Sequence, residues 1–165
     1  QLWVNLPAKD KLTPPGYQAI LNVEIPRVAL DGDAGEARVI AGSFGSAHGA
    51  ANTFSPMQVV DLSVKAGHLV KIPVRDGWNT ALVVLAGNAL INGEHAAHEA
   101  QLVVFSREGG SLTLEAKTDV KALLLSGQPL NEPIVGHGPF VMNTVDEIRQ
   151  AIVDFNNGQF GQMAS

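Results

Sequence analysis

Histidines are the first candidates for chemistry, because the chain has five of them and no cysteine. They are His48, His68, His95, His98 and His137. His95 and His98, with a glutamate on either side, have the residue types of a divalent-metal site. Side chains three residues apart share a face on a helix but not on a strand, and the preceding Asn92-Gly93 predicts a turn. We therefore expect a surface loop at residues 95–98, with His95 and His98 as the alternative metal ligands.

A second set of residues has the spacing of a known metal-binding motif. The set is Gly67, Pro73, Arg75, Thr80 and Gly87, which resembles the first cupin motif, G-x5-H-x-H-x4-E-x6-G. In that motif two histidines on one face of a strand and a later glutamate hold a divalent metal. Here Pro73 and Arg75 stand at the histidine positions and Thr80 at the glutamate position. Proline has no donor atom, arginine is cationic and threonine is a poor neutral ligand, so the pattern predicts a degenerate metal site.

Arg75 and Trp78 are candidates for a pocket within the same stretch. If the spacing holds, Arg75 points into the barrel, where it needs a carboxylate partner or binds an anionic ligand; we expect the ion pair. Trp78 is placed either at the mouth of that pocket or at the rim of the core. The chain has no G-x-S-x-G sequence and no cysteine, so we predict no catalytic residue.

The elements that would position these residues are mainly short strands. Seventeen glycines and nine prolines separate runs of Val, Ile, Leu and Thr, a pattern typical of all-β proteins. The predicted strands are 2–6, 22–25, 37–40, 59–64, 69–74, 80–85, 89–91, 102–105, 112–114 and 121–125. Short strands at this spacing predict a β-sandwich or barrel.

One helix is predicted, at the C-terminal end of the chain. Thr144 and Glu147 form the sequence pattern of a capping box. The apolar residues that follow at helical spacing are Ile148, Ala151, Ile152 and Phe155. Asn156-Asn157-Gly158 then ends the pattern, so we expect a helix over residues 144–158 that packs on the sheet.

Composition excludes several classes of protein. The chain has 165 residues, of which 45% are hydrophobic and 16% charged, enough apolar surface for a sizeable core. Its net charge of -5 disfavours direct nucleic-acid binding. No apolar run approaches the roughly 20 residues of a membrane-spanning helix. We expect a cytoplasmic protein with no membrane or direct nucleic-acid partner.

Longer strings near both ends resemble the pirin family. The strings are Gln1–Lys11 (QLWVNLPAKDK), residues 38–42 (RVIAG), 127–134 (GQPLNEPI), 138–144 (GPFVMNT) and 158–161 (GQFG). The resemblance covers essentially the whole chain, but only the later part of a family whose full chain has two cupin domains.

The resemblance implies a fold, a domain organisation and a place for the cofactor. It implies a cupin-type β-sandwich or barrel of the jelly-roll kind with a C-terminal α-helix. Residues 1–20 would be a strand and crossing segment of the missing N-terminal cupin half, and residues 21–165 the C-terminal cupin domain. The family's iron, or another divalent metal, is held by three histidines and a glutamate of the first domain. No segment here matches that motif, so we expect no cofactor in this chain.

For function, the resemblance implies a structural or protein-interaction half that is not itself catalytic. The alternatives are part of a metal-dependent quercetin 2,3-dioxygenase whose active site lies in the N-terminal cupin domain, and a redox-responsive transcription cofactor. The chain opens inside a predicted strand and therefore looks cut from something longer. An unpaired strand edge recruits other chains. We expect a homo-oligomer, a domain-swapped dimer or binding of the missing half, with Leu2, Trp3 and Val4 at the interface.

Overall fold

The computed structural model describes residues 1–160 and consists of two compact units. One unit is the continuous segment Gln18–Pro129. The other combines Gln1–Tyr17 with the described chain from Leu130 to Phe160. This division differs from the predicted one, which separated residues 1–20 from 21–165. The assignment of residues 1–20 to an N-terminal cupin half stays a prediction.

The unit Gln18–Pro129 is built almost entirely of strands. In chain order they are β1 (Arg27–Leu30), β2 (Gly35–Ala41), β3 (Ser43–Phe44), β4 (Ala47–His48), β5 (Met57–Val64), β6 (Leu69–Pro73), β7 (Asn79–Ala86), β8 (Asn88–Ile91), β9 (His95–His98), β10 (Gln101–Val104), β11 (Ser111–Ala116) and β12 (Val120–Gly127). Two short 3-10 helices, Asn22–Glu24 and Asp31–Asp33, complete the unit.

The strands form two main antiparallel sheets. A six-stranded sheet has the order β1-β2-β5-β12-β7-β10, and a four-stranded sheet has the order β6-β11-β8-β9. Strands β3 and β4 pair separately as a short ribbon. Strands far apart in sequence, such as β5 and β12, are direct neighbours in the sheet, as in jelly-roll folds. The prediction of an all-β sandwich is confirmed.

The core of this unit lies between the inward faces of the two sheets. The largest fully buried side chains are Val39, Val60, Leu62, Leu82, Val84 and Leu124 from the six-stranded sheet, and Ile72, Ile91 and Leu114 from the four-stranded sheet. They recur at every second position because successive side chains of a strand point to opposite faces. The alternation therefore sets which residues of each strand are available to line a site.

Some strand predictions are wrong. Residues 2–6 lie outside every strand of the described chain; an extended segment becomes a strand only where its backbone pairs with a neighbour. Residues 22–25 contain a 3-10 helix, because the Glu24 carboxylate accepts a hydrogen bond from the backbone N–H of Leu21 at 2.6 Å and closes a turn. Residues 95–98, expected to be a loop, form β9 and pair with β8.

The second unit contains a hairpin and the predicted helix. Its elements are a 3-10 helix (Ala8–Asp10), β13 (Val135–His137), β14 (Phe140–Met142) and α1 (Val145–Asn156). The Thr144 hydroxyl accepts a hydrogen bond from the Glu147 N–H at 3.2 Å, and Glu147 Oε2 accepts one from the Thr144 N–H at 2.7 Å. Hydrogen bonding, chiefly from the Thr144 side chain, lowers the pKa of Glu147 below its ordinary value. The capping box and helix are confirmed, with the helix ending at Asn156.

Candidate functional site

The two glycines of the cupin-like spacing lie at turns that flank β6 and β7. Gly67 and Gly87 have φ values of 79° and 84°, in the left-handed region that favours glycine. A Cβ atom on Gly87 would lie 2.1 Å from the Asp119 carbonyl oxygen, whereas nothing lies within 4 Å of one on Gly67. The spacing thus corresponds to a strand–turn–strand segment, with the residues of interest between the two glycines.

Pro73 and Arg75 lie together at the end of β6, where the chain enters the turn to β7. Val70 and Ile72 of β6 are buried in the core, whereas Pro73 and Arg75 are exposed. Both line a pocket of about 620 Å³. Trp78, Gln58, Ser43 and Gly42 also line it. The structure therefore brings together two of the three predicted ligand positions and both predicted pocket residues.

Thr80, at the third ligand position, belongs to a buried polar row inside the six-stranded sheet. Its hydroxyl shares a hydrogen bond of 2.8 Å with that of Ser126, its partner across β7 and β12. Ser126 in turn faces Gln58 of β5, and the Gln58 Nε2 donates to the Ser43 carbonyl oxygen at 2.9 Å. All three polar side chains are at least nine-tenths buried.

Gln58 and Ser126 were not singled out from the sequence. The signal was a polar residue at an inward position of an otherwise apolar alternation. Gln58 precedes Val60 and Leu62, and Ser126 follows Ala122 and Leu124, with every second side chain buried. Only the register between β5, β12 and β7 places these polar groups beside Thr80.

The donor chemistry of these positions does not suit a divalent metal. Pro73 offers no donor, Arg75 carries a positive charge, and the Thr80 hydroxyl is neutral and already bonded to Ser126. Within residues 1–160, no group of three or more histidine, aspartate or glutamate side chains is close enough to hold a metal ion. The residues present therefore do not fit the iron implied by the family resemblance.

Arg75 stacks on an aromatic ring instead of forming the expected ion pair. Its guanidinium carbon lies 5.2 Å from the centroid of the Trp78 ring, a cation–π arrangement. The carboxylate next in sequence, Asp76, accepts a hydrogen bond from the Gly109 N–H at 2.7 Å. The turn thus directs Asp76 to the backbone, and the expectation of a carboxylate partner for Arg75 is wrong for the part of the chain described here.

His95 and His98 lie at the two ends of β9, an edge strand of the four-stranded sheet. Both side chains are exposed, and residues three apart on a strand project to opposite faces. His98 Nδ1 lies 2.8 Å from Asn88 Oδ1, and His95 Nε2 lies 4.0 Å from Glu94 Oε2. The structure does not bring the two rings together at one site.

Apolar side chains are exposed on both units. Leu2, Trp3 and Val4 are 51%, 70% and 50% exposed. Leu102 and Val104, on the outward face of edge strand β10, are 59% and 72% exposed. No α-helix among the described residues has the length and apolar character needed to cross a membrane.

A second cavity, of about 550 Å³, is lined by charges of both signs. The Lys65 ammonium donates to the Asp33 carboxylate at 2.7 Å, and this hydrogen bond lowers the pKa of Asp33. Asp119 Oδ1 accepts a hydrogen bond from the Ala66 N–H at 2.8 Å. Asp33, Lys65 and Asp119 are thus engaged by the protein itself, which makes this cavity a weaker candidate for a ligand site than the pocket at Arg75.

The two-sheet jelly roll and the glycine-bounded turn around Pro73 and Arg75 define a protein of the cupin class. The pirin C-terminal cupin domain matches residues 59–161 of the chain. The chain belongs to the pirin family, as the terminal strings predicted.

Named relatives agree with this assignment. A Pseudomonas aeruginosa protein provisionally named a quercetin 2,3-dioxygenase is 50% identical over 97% of this chain, and human pirin is 34% identical over 98%. The crystal structure of a quercetin 2,3-dioxygenase from Acinetobacter baumannii superposes with a TM-score of 0.92 at 48% identity over 98% of the chain. The chain spans 56% of the length of each of these three proteins.

Proposed function

We propose that this chain is the non-catalytic C-terminal half of a pirin-like protein, with a degenerate metal site. The observation that carries the proposal is the chemistry at the cupin ligand positions. Arg75 places a fixed positive charge in the pocket, which opposes binding of a cation. Thr80 is hydrogen-bonded to Ser126 in the core. On this view the iron, or another divalent metal, belongs to the N-terminal cupin domain.

The outward face of the six-stranded sheet is the surface that we assign to the other half. Leu85, Leu102 and Val104, on the neighbouring strands β7 and β10, are 48%, 59% and 72% exposed. Adjacent exposed apolar side chains on a sheet face are typical of an interaction surface. The relatives extend well beyond the matched region, and the matching domain is a C-terminal one. We therefore take the N-terminal cupin domain as the occupant of this face.

Leu2, Trp3 and Val4 belong to the same proposal as a further contact region. The expectation of a swapped dimer rested on a strand at residues 2–6, and within residues 1–160 that segment belongs to no strand. What now supports self-association is the exposure of these three apolar side chains. In the absence of the other half, we expect a homo-oligomer that buries them.

Co-expression tests the docking surface. A tagged N-terminal portion of the Pseudomonas aeruginosa relative is expected to co-purify with this chain. Leu102→Asp is expected to lower recovery by about tenfold or more, because an unpaired carboxylate would be buried in an apolar contact. Leu69→Asp is the matched control, since Leu69 is 66% exposed on β6 of the other sheet; it should leave recovery unchanged. Equal recovery of both variants would reject this face, and a homodimer that Leu102→Asp alone disrupts would assign it to a second copy.

A second candidate function is a part in a quercetin 2,3-dioxygenase whose active site lies in the N-terminal half. The observation that favours it is the 48% identity with the Acinetobacter baumannii quercetin 2,3-dioxygenase over nearly the whole chain. In the same co-expression experiment, the iron-loaded pair is expected to consume quercetin and this chain alone to leave it at the background oxidation rate. Turnover by the chain alone would contradict the non-catalytic role.

A further inference from the structure

The pocket at the end of β6 holds a positive charge that no carboxylate of the described chain neutralises. Arg75 is the single cationic residue among those that line it, and within residues 1–160 no carboxylate side chain lines it. None of the ion pairs of the described chain involves Arg75, and Asp76 is held by the Gly109 N–H. A charge of this kind in a concave site attracts an anion.

Stacking on Trp78 leaves the guanidinium ready to bind a planar anion. The 5.2 Å separation from the ring centroid places the cation over the aromatic face. The N–H donors of a guanidinium lie in its plane and match a carboxylate in a bidentate pair. The Trp78 indole thus contacts one face of the Arg75 guanidinium and leaves the N–H donors in the guanidinium plane available. Arg75 therefore selects a carboxylate rather than a neutral group.

The other residues that line the pocket favour an anion whose remaining part is apolar. Pro56, Met57, Pro73 and Val74 contribute apolar surface beside the indole of Trp78. At the polar end, the buried Gln58 is fixed by its hydrogen bond to the Ser43 carbonyl oxygen. The volume of about 620 Å³ falls within the roughly 300–1,000 Å³ typical of small-molecule sites. A ligand with an aromatic ring and a carboxylate at one edge matches both the apolar lining and the charged lining of this pocket.

We infer that this pocket binds a small aromatic carboxylate, with Arg75 pairing with the carboxylate and Trp78 and Pro73 bounding the ring. The pocket is lined by Pro73 and Arg75, two of the three predicted ligand positions, but not by Thr80. The inference goes beyond the structural role proposed above. A measurement of bound iron does not test this inference, because the inference depends on the charge of Arg75 and not on the absence of metal.

Fluorescence titration of the full 165-residue chain tests the inference. The sequence has two tryptophans, so a Trp3→Phe background leaves Trp78 as the reporter. Benzoate, added at constant ionic strength, is expected to change the Trp78 emission saturably. Benzamide, which lacks the charge, and acetate, which lacks the ring, are each expected to bind at least about tenfold more weakly.

Arg75→Gln in the same background is expected to weaken benzoate binding by about tenfold to a hundredfold, the loss of charge-assisted hydrogen bonds. Arg27→Gln is the control, since it removes the same charge from β1 and should leave the affinity unchanged. Arg75→Lys keeps the charge but lacks the bidentate donors, so its affinity for benzoate should lie between those of the Arg75→Gln and Arg27→Gln variants. This variant keeps the test usable if Arg75→Gln unfolds. No saturable change with benzoate, or equal affinities of the Arg75→Gln and Arg27→Gln variants, would overturn the inference.

Discussion

Gly87→Ala is expected to destabilise the unit Gln18–Pro129 by about 2–5 kcal/mol. The residue has φ of 84°, which costs an alanine about 1–2 kcal/mol. The added Cβ would also lie 2.1 Å from the Asp119 carbonyl oxygen, and the backbone shift needed to relieve such a contact costs typically 1–3 kcal/mol. Urea unfolding of the Trp3→Phe variant, followed by Trp78 fluorescence, measures the change.

Gly67→Ala separates the two contributions to that loss. Gly67 has a similar φ of 79°, but a Cβ there would have nothing within 4 Å. We expect it to lose only the backbone contribution, about 1–2 kcal/mol. Equal losses for the two variants would show that the close approach of Asp119 does not constrain the turn that ends β7.

Asp61→Ala is expected to destabilise the same unit by about 3 kcal/mol, because it leaves a largely buried guanidinium without its partner. Asp61 on β5 lies directly opposite Arg38 on β2, and their side chains are only 12% and 22% exposed. Arg38 Nη1 donates to Asp61 Oδ2 at 2.8 Å, and Arg38 Nη2 donates to Asn22 Oδ1 at 2.7 Å. Urea unfolding at constant salt gives the free-energy difference.

Glu36→Ala is the matched control for that prediction. It breaks the pair of Arg27 and Glu36, whose side chains are 49% and 39% exposed on the neighbouring strands β1 and β2. Exposed pairs contribute about 0–1 kcal/mol, so this loss should be small. The Asp61→Leu, Arg38→Met double variant should recover most of the stability, since it leaves no unpaired buried charge. A loss for Asp61→Ala no larger than that for Glu36→Ala would contradict the account.

The strands of the core were predictable because apolar residues recur at every second position along them. In β5 and β12 every second residue is buried, and all of these residues except Gln58 and Ser126 are apolar. A strand buried on one face requires that period. The helix was predictable for a local reason, since Thr144 and Glu147 satisfy each other's backbone N–H groups. Neither inference needs knowledge of a distant residue.

The elements that were missed depend on partners that the sequence does not reveal. Strand β9 consists of two histidines and two alanines, which have no strong strand preference. It forms because the Asn92-Gly93 turn pairs it with β8, where Ala97 faces Ala89 and is buried. Residues 2–6 are the opposite case, since their apolar pattern predicts a strand but no described strand pairs with them.

The candidate site shows the same limit. The turns at Gly67 and Gly87 could be predicted from spacing alone, whereas the assignment of Pro73, Arg75 and Thr80 to metal-ligand positions stays a prediction. The polar row of Gln58, Ser126 and Thr80 could not be predicted, because it exists only through the register of three strands. For Arg75, burial arguments predicted a carboxylate, whereas a tight turn brings the Trp78 ring within reach and directs Asp76 elsewhere.

The most direct test of the proposed degenerate site is elemental analysis of the purified chain after anaerobic loading with Fe²⁺ and desalting. The account predicts iron far below one equivalent per chain, with no change in a His95→Ala, His98→Ala double variant. Near-stoichiometric iron would contradict it. If that iron is lost in the double variant, the metal site lies at His95 and His98; if it survives, Pro73, Arg75 and Thr80 have been wrongly placed at the ligand positions.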